Sequence, residues 1–407
     1  MFVTTQGPVL KRPGTKYIAT VKSGSPRLIP WINSTDDAYV FEVGNKYQRF
    51  YRNSGQILDD DDDPYEEITV FDTDEIANIQ YALADNTMYL VDGTDPPQVL
   101  TRADHDDWTI TNAVFESGPF LEENDTTTTI TPTGYSYTED ATADTFTISG
   151  SGDLSTLFPV AGTFIIGESA ENDDTWTVLS TAYTHPAFVI TVIAAQDVIA
   201  ETTNGTIVVE DGTVTLTASV AIFQSTTGAS HVGSIWSIKQ VRETSKVSGT
   251  FSANGVSLST PYFSGNYSFT TSGNVGSTIT LQRSTNNGIS WRAALTALTN
   301  IDFDNTAETE EDGAIYRIVC SAYVSDSPTY SFTITDNTNK GVVKITAVAS
   351  TTSATATVVT NLVDTAAVTT WREGYWSDYR GWPKTVAFHQ QRLIFASSDT
   401  YPQTIWF

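Results

Sequence analysis

The sequence predicts an all-β protein carrying small β-barrel or β-sandwich modules. Three observations lead there. Thr is the commonest residue, about one in six of the 407, with many Val, Tyr and Ser, which is strand and turn chemistry. Short alternating runs broken by Gly, Asn, Asp and Pro recur along most of the chain. No long amphipathic helix and no heptad pattern interrupts them.

Taken in order, residues 16–21 (KYIATV), 38–43 (AYVFEV) and 47–51 (YQRFY) read as strands. Val43-Gly44-Asn45-Lys46 is the hairpin turn between the last two. Residues 68–71 and 87–91 continue the pattern, and Gly93-Thr94-Asp95-Pro96-Pro97 closes a loop. One stretch, 74–84 (DEIANIQYALA), reads as a short helix with Asp74 placed to start it. Residues 126–130 form a Thr-rich linker. Five β-type runs then fill 145–209 (TFTIS, GTFIIG, TWTVLS, FVITVI, GTIVV), with turn signals at the spacing of a small barrel or sandwich. Residues 213–223 return toward the parent body. A second β unit fills roughly 247–337, with a strong hairpin loop at 284–288 before Trp291. Residues 341–363 give two further runs. The final strand signal, TIWF, is cut by the chain end, so the chain reads as a fragment of a longer protein.

Length and composition exclude several classes. A chain this long exceeds one core, so two to four domains are expected. An apolar content of 40% with 11% aromatics excludes bulk disorder. No run of eighteen apolar residues exists to form a membrane helix, and the start lacks the basic-then-apolar pattern of a signal peptide. The single cysteine, Cys320, excludes a disulfide framework and a cysteine-rich zinc site, and reads as a buried strand residue.

Charge is uneven. Residues 1–120 hold 9 basic and 20 acidic side chains, 121–230 hold none and 15, and 231–407 hold 12 and 13. No Lys or Arg occurs between Arg102 and Lys239. A net charge of −27 argues against a protein that binds nucleic acid by neutralising phosphates. The five-Asp run at 59–63 reads as a solvated hairpin tip, because it lacks the spaced ligands and turn glycine of a calcium loop.

Catalytic motifs are not evident. His105, His185, His231 and His389 lie far apart, and none sits in an HExxH pattern. GxSxG, P-loop and strand-linked GxGxxG patterns are missing. Among 48 acids, carboxylate pairs arise by chance and carry no glycosidase signal. The 105–108 segment (HDDW) reads as a polar loop with Trp108 anchoring the next strand. Trp371, Trp376 and Trp382 crowd one Gly-containing segment, read as a packed aromatic corner. Its alternative is an exposed sugar- or partner-binding cluster.

Several separated segments resemble the tail nozzle (tail tubular protein B-like) proteins of tailed bacteriophages. Near the start, Gln6-Gly7-Pro8 and the run Arg12-Pro13-Gly14-Thr15-Lys16-Tyr17 are similar to that family's opening motif. RLIPW (27–31), DAYVFEVGNKYQRFYRNSGQI (37–57), IQYALADNTMYLVDGTDPPQVLTR (79–102), HDDWTI (105–110) and NAVFESGPFLEEN (112–124) follow in family order. SDYRGWPKTVAFHQQRLIFASSDTYPQTIWF (377–407) closes the series, and GASHVGSIWSI (228–238) resembles a short segment before the family's central insertion. Together these cover nearly half the chain.

The resemblance implies a propeller-like β platform interrupted by inserted modules. Residues 1–124 would be its N-terminal part and 125–238 an acidic inserted module with its return strands. Residues 239–337 would be a second, sandwich-like insertion, and 338–407 a return to the platform. Family members usually extend further at both ends. The implied role is a virion structural protein of the tail, not an enzyme and without cofactors. It would form a six-fold homo-oligomeric ring at the distal end of a short tail, beside an adaptor ring and tail fibres. The ring would conduct DNA during ejection without specific binding, and contact with the host envelope is implied as well. Arg12, Pro13, Gly14, Trp376, Trp382, Arg392 and Trp406 are expected to serve structure and assembly, with no catalytic or metal residue. Pro13 and Gly14 suit a tight turn, Arg12 could reach an acidic neighbour, and Arg392 should point outward from its strand. An acidic wall would repel phosphates and keep DNA transit fast. The competing readings are a tail fibre or spike module that binds the host surface, and a wall-degrading enzyme.

Overall fold

The computed structural model describes residues 15–407 apart from 35, 227, 242–245, 261–262, 264, 274, 287, 299–301, 309–313 and 336–337. Among these residues every regular element is a β-strand, and no helix is long and apolar enough to cross a membrane. The chain is therefore all-β. It divides into two compact units, Met1–Val114 with Arg380–Phe407, and Phe115–Tyr379.

The first unit opens with strands β1 (Arg27–Ile32), β2 (Ala38–Gly44), β3 (Tyr47–Arg52), β4 (Gly55–Gln56) and β5 (Glu66–Ile68). They form one sheet in the order β1-β2-β3-β4, with β5 also on β3. A two-residue turn joins β2 to β3, and Lys46 there takes a φ of 60°. β1 alternates in exposure, with Ile29 and Trp31 buried and Leu28, Pro30 and Ile32 outward. It lies at the sheet edge, where a proline removes no inner ladder bond.

Strands β6 (Gln80–Ala84), β7 (Thr87–Val91), β8 (Gln98–Arg102) and β9 (Trp108–Asn112) make a second sheet, also in sequence order. The core holds Trp31, Phe41 and Phe50 from the first sheet and Met88, Leu90 and Trp108 from the second. Each such large side chain contributes about 1.5–3 kcal/mol on burial. The C-terminal strands Thr385–His389, Arg392–Ala396 and Ile405–Trp406 form a third antiparallel sheet of this unit. Gln390 and Gln391, both at positive φ, turn its first hairpin.

Three expectations in this unit fail locally. Residues 74–84 are not a helix: 73–78 form turns and 80–84 are β6. Ile76 and Ile79 are buried, so the helix-like spacing reflects the turns packing on the core. Pairing of Gln80–Ala84 with Thr87–Val91 overrides a short helix's weak local preference. Residues 16–21 form no strand and pair with nothing in the ladders. The strand expected at 68–71 sits instead at Glu66–Ile68, while Phe71 turns into the core.

The second unit is organised by a six-stranded antiparallel sheet. Its order is Ile130–Thr133, Thr213–Ala218, Ser353–Thr360, Thr338–Ser350, Ile235–Val241 and Trp371–Glu373. Ile130, where the Thr-rich linker was expected to end, already pairs with Ala218 and Val368. Thr138–Asp140, Thr145–Ser149, Ala187–Val192, Asp174–Thr184, Thr163–Gly167 and Thr206–Val208 form a second sheet in that order. A bulge between Val178 and Ser180 bends its longest strand and lets the sheet curl. Thr163–Gly167 is buried on both faces, which explains its continuous apolar run. Phe164 and Ile166 enter the curled module's core, while Ile165 packs into the central core.

The strands between Lys246 and Ile334 make two four-stranded sheets around one core. Tyr267 stacks on Phe332 at 4.7 Å, and Cys320 is buried in the same core, as its strand pattern predicted. Asp326 ties a loop of this module. Its Oδ2 accepts the backbone N–H of Val275, Gly276 and Ser277 at 2.9, 2.8 and 2.8 Å. Desolvation opposes the charge, but the Ser277 and Gly276 hydrogen bonds outweigh it and hold the carboxyl well below the usual range. A depressed carboxylate contributes stability above its unfolded pKa, lost as pH falls through the folded value. Asp326→Ala should therefore melt at lower temperature than the wild type at pH 7. The gap should begin to close only below about pH 4. A gap that is constant down to pH 2 in thermal melts would contradict this.

Candidate functional site

One carboxylate cluster stands apart in the first unit. β7 ends at Val91, and Asp92-Gly93-Thr94-Asp95 turns the chain toward β8. Asp92 Oδ1 accepts the N–H groups of Thr94 and Asp95, both at 3.0 Å. Gly93 makes that turn possible, since its φ of 93° is costly for any residue with a Cβ. Glu75 arrives from the 73–78 turns, where its Oε2 accepts the Asp72 N–H at 2.5 Å. One carboxylate oxygen each from Glu75, Asp92 and Asp95 lies within 4.8 Å of the others. Asp92 is only 6% exposed. Its Oδ2 and the Oδ2 of Asp95 are buried and accept no hydrogen bond from the described residues.

The electrostatics follow from that crowding. Burial, then the charges of Asp92 and Glu75, push the Asp95 carboxyl up to about 7. Burial also raises Asp92, against the two turn N–H bonds. Lys46 favours a charged Asp95, but its ammonium is already engaged by Asp72 at 3.0 Å and by the Val70 carbonyl. Two of these residues have a visible context in the sequence, a D-G-x-D turn after a strand. Glu75 lies seventeen residues earlier and only the fold brings it in. The 59–63 run contrasts with this cluster. It is exposed, and Asp59 Oδ1 is satisfied by the N–H groups of Asp61 and Asp63, both at 3.0 Å.

A second polar node lies in the other unit. His231 is 1% exposed. The Gln224 N–H donates to its Nδ1 at 2.9 Å, so the ring proton sits on Nε2, 2.9 Å from Glu373 Oε1. The rings of Trp236 and Tyr379 close around it at 5.5 and 5.0 Å. The imidazole joins the loop before Ile235–Val241 to Trp371–Glu373, and it is sealed from substrate. This node is structural.

The third feature is the surface of residues 121–230. Ten of its fifteen carboxylates are exposed, including Asp140, Asp153, Glu168, Glu171, Asp173 and Asp197, so the negative field of this cation-free stretch reaches solvent.

The residues singled out for assembly fall in different places. Arg12, Pro13 and Gly14 lie outside the described residues. Trp376 is buried in the second unit, edge-on to Phe115 at 4.9 Å. Trp382 and Trp406 are buried in the first unit. Arg392 is exposed at the start of its strand, whose Phe395 pairs with Trp406. Trp371 packs on Trp236 at 5.3 Å. The three tryptophans of 371–382 therefore do not form one exposed platform. The first unit also has an apolar groove of about 540 Å³ lined by Ile18, Leu28, Pro30, Ile32, Val40 and Tyr51.

No protein-family profile matches the chain, and no curated protein matches it. Among solved structures the chain is similar to a glycoside hydrolase at 9% identity, over 75% of this chain and 69% of that one, with a TM-score of 0.15. It is also similar to infectious bursal virus derived T=1 particles at 13% identity, over 72% and 74%, with a TM-score of 0.15. The infectious bursal disease virus Gx strain structure gives 13% identity over 72% and 76%, with a TM-score of 0.13. Likeness at this level carries no argument about fold or function.

Proposed function

We propose that this chain is a virion structural protein that forms a distal tail ring and conducts DNA during ejection. The observation that carries the reading is the acidic surface of residues 121–230, a stretch with ten exposed carboxylates and no Lys or Arg of its own. DNA in transit must not adhere. Basic residues would bind phosphates through counterion release, whereas carboxylates repel them. The resemblance of the end segments to tail nozzle proteins supports the same role. So do the sequential meanders β1–β4, in a sheet that β5 also joins, and β6–β9, whose strand order resembles that of propeller blades. In this reading the platform is propeller-like, the ring is a homo-hexamer, and its neighbours are an adaptor ring and tail fibres.

Electron microscopy of the purified protein with its tail neighbours tests the reading. Six-fold density around an axial channel is the expected result. Three-fold density projecting from the tail side would replace it with a host-binding fibre. The lumen is tested separately by single Lys replacements at Asp140, Asp153, Glu168, Glu171, Asp173 and Asp197. Those facing the channel should slow ejection severalfold at about 50 mM salt and much less at about 200 mM, because phosphate contacts weaken steeply with salt. Unchanged ejection across the whole series would remove the acidic-wall argument.

A further inference from the structure

We propose that Glu75, Asp92 and Asp95 form a calcium-binding site in the unit made by Met1–Val114 and Arg380–Phe407. The first ground is the donor set. Three carboxylates, with no nitrogen or sulfur donor in the group, suit a hard cation and not zinc.

The second ground is spacing. Oxygens on opposite sides of a calcium ion at about 2.4 Å each lie about 4.8 Å apart. All three candidate oxygens fall within 4.8 Å of one another, so the cluster has the span of one calcium shell and small side-chain rotations bring all three onto one ion.

The third ground is independent of the clustering. Asp92 is 94% buried by its 6% exposure, and one of its oxygens has no hydrogen-bond donor among the described residues. A buried carboxylate oxygen without a partner is costly, and a bound cation removes that cost. Asp95 presents a second buried oxygen in the same state. The Asp92-Gly93-Thr94-Asp95 turn has already committed Asp92 Oδ1 to two N–H groups, which fixes the carboxylate and leaves Oδ2 free to ligate. Lys46 cannot serve as the counter-charge without leaving Asp72 and the Val70 carbonyl. The remaining coordination positions would be filled by water and backbone carbonyls, as is usual for calcium.

The test uses the full chain freed of metal with a chelator and then titrated with calcium chloride. Calorimetry should show about one site per chain. The melting transition of this unit should rise by roughly 5 °C or more at a hundredfold excess over Kd. Asp92→Asn should bind calcium at least tenfold more weakly. Without calcium its unit should melt no lower than the wild type, because a repelling charge has gone. Should Asp92→Asn fail to fold, Glu75→Gln, at a partly exposed position, gives the same affinity test. Terbium luminescence of the unmodified chain, sensitised by its aromatic residues and displaced by calcium, needs no variant at all. No heat, no shift and no luminescence at about 10 mM, above the range of the weakest calcium modules, would overturn the proposal. So would variants that bind as the wild type does, or a response to magnesium as strong as that to calcium.

Discussion

Trp108→Ala is expected to destabilise the unit of Met1–Val114 and Arg380–Phe407 by about 3–5 kcal/mol, the usual cost of deleting a buried indole. The reason lies in where the ring's partners come from. Trp108 begins β9, in the second sheet, yet its aromatic partners belong to the first. It stacks on Phe50 at 4.7 Å, and meets Trp31, Tyr39 and Phe41 edge-on at 5.0, 5.2 and 5.3 Å. Its indole N–H donates to the His105 carbonyl at 2.8 Å, and its backbone N–H donates to the Tyr65 hydroxyl at 3.0 Å. One side chain therefore pins the two sheets face to face. Alanine would leave a cavity that four aromatic rings cannot close without leaving their rotamers. Trp108→Phe keeps the stacking on Phe50 but loses the indole bond, so its cost should be less than half as large. Denaturant titration of the two variants checks both values. A midpoint for Trp108→Ala equal to that of the wild type would show that the sheets are held elsewhere. The transition of Phe115–Tyr379 should not move, since the ring's partners all lie in the first unit.

Much of this was legible in the sequence, and the failures are physical. Strands with two-residue turns, such as the hairpin at Asn45-Lys46, could be read locally because both signals lie within a few residues. Trp108 could be read as an anchor because a large aromatic follows a polar loop and starts an alternating run. The helix at 74–84 could not be rejected locally. Ile76, Ile79 and Leu83 fit a helical stripe, and only the pairing with Thr87–Val91 decides against it. Residues 16–21 have strand composition, but composition does not supply a partner strand.

The carboxylate cluster was illegible for a related reason. The Asp59–Asp63 run is dense in sequence and solvated in space, whereas Glu75, Asp92 and Asp95 are sparse in sequence and crowded in space. Charge counting finds the first kind of cluster and misses the second. His231 is the converse case. Its isolation in sequence argued against a metal site, and the fold gives it Glu373, 142 residues away, as a buried structural partner.

Glu210→Gln is expected to stabilise the Phe115–Tyr379 unit at pH 8 and to leave it nearly unchanged at pH 4. Glu210 stands between Thr206–Val208, in the curled module, and Thr213–Ala218, in the central sheet. Burial, then the charges of Asp211 and Glu116, push its carboxyl up to about 7. Its Oε2 accepts a hydrogen bond from Asn361 Nδ2 at 3.2 Å, too little to reverse the shift. The unfolded chain releases this proton near 4.5, the ordinary value for the group. Below that pH both states are protonated and nothing is lost. Between the two values the folded state holds the extra proton, so stability falls as pH rises. Above about 7 the penalty is complete, on the order of 3–4 kcal/mol at about 1.4 kcal/mol per unit. Glutamine keeps the shape and an acceptor for Asn361 but carries no charge, so the penalty disappears. Urea titrations of both proteins at pH 4, 6 and 8 should give a difference that grows through this window. A difference independent of pH would mean that the carboxyl titrates normally and that the substitution acts through packing. Asp211→Asn should recover part of the same gain, since Asp211 is the larger of the two charges acting on Glu210.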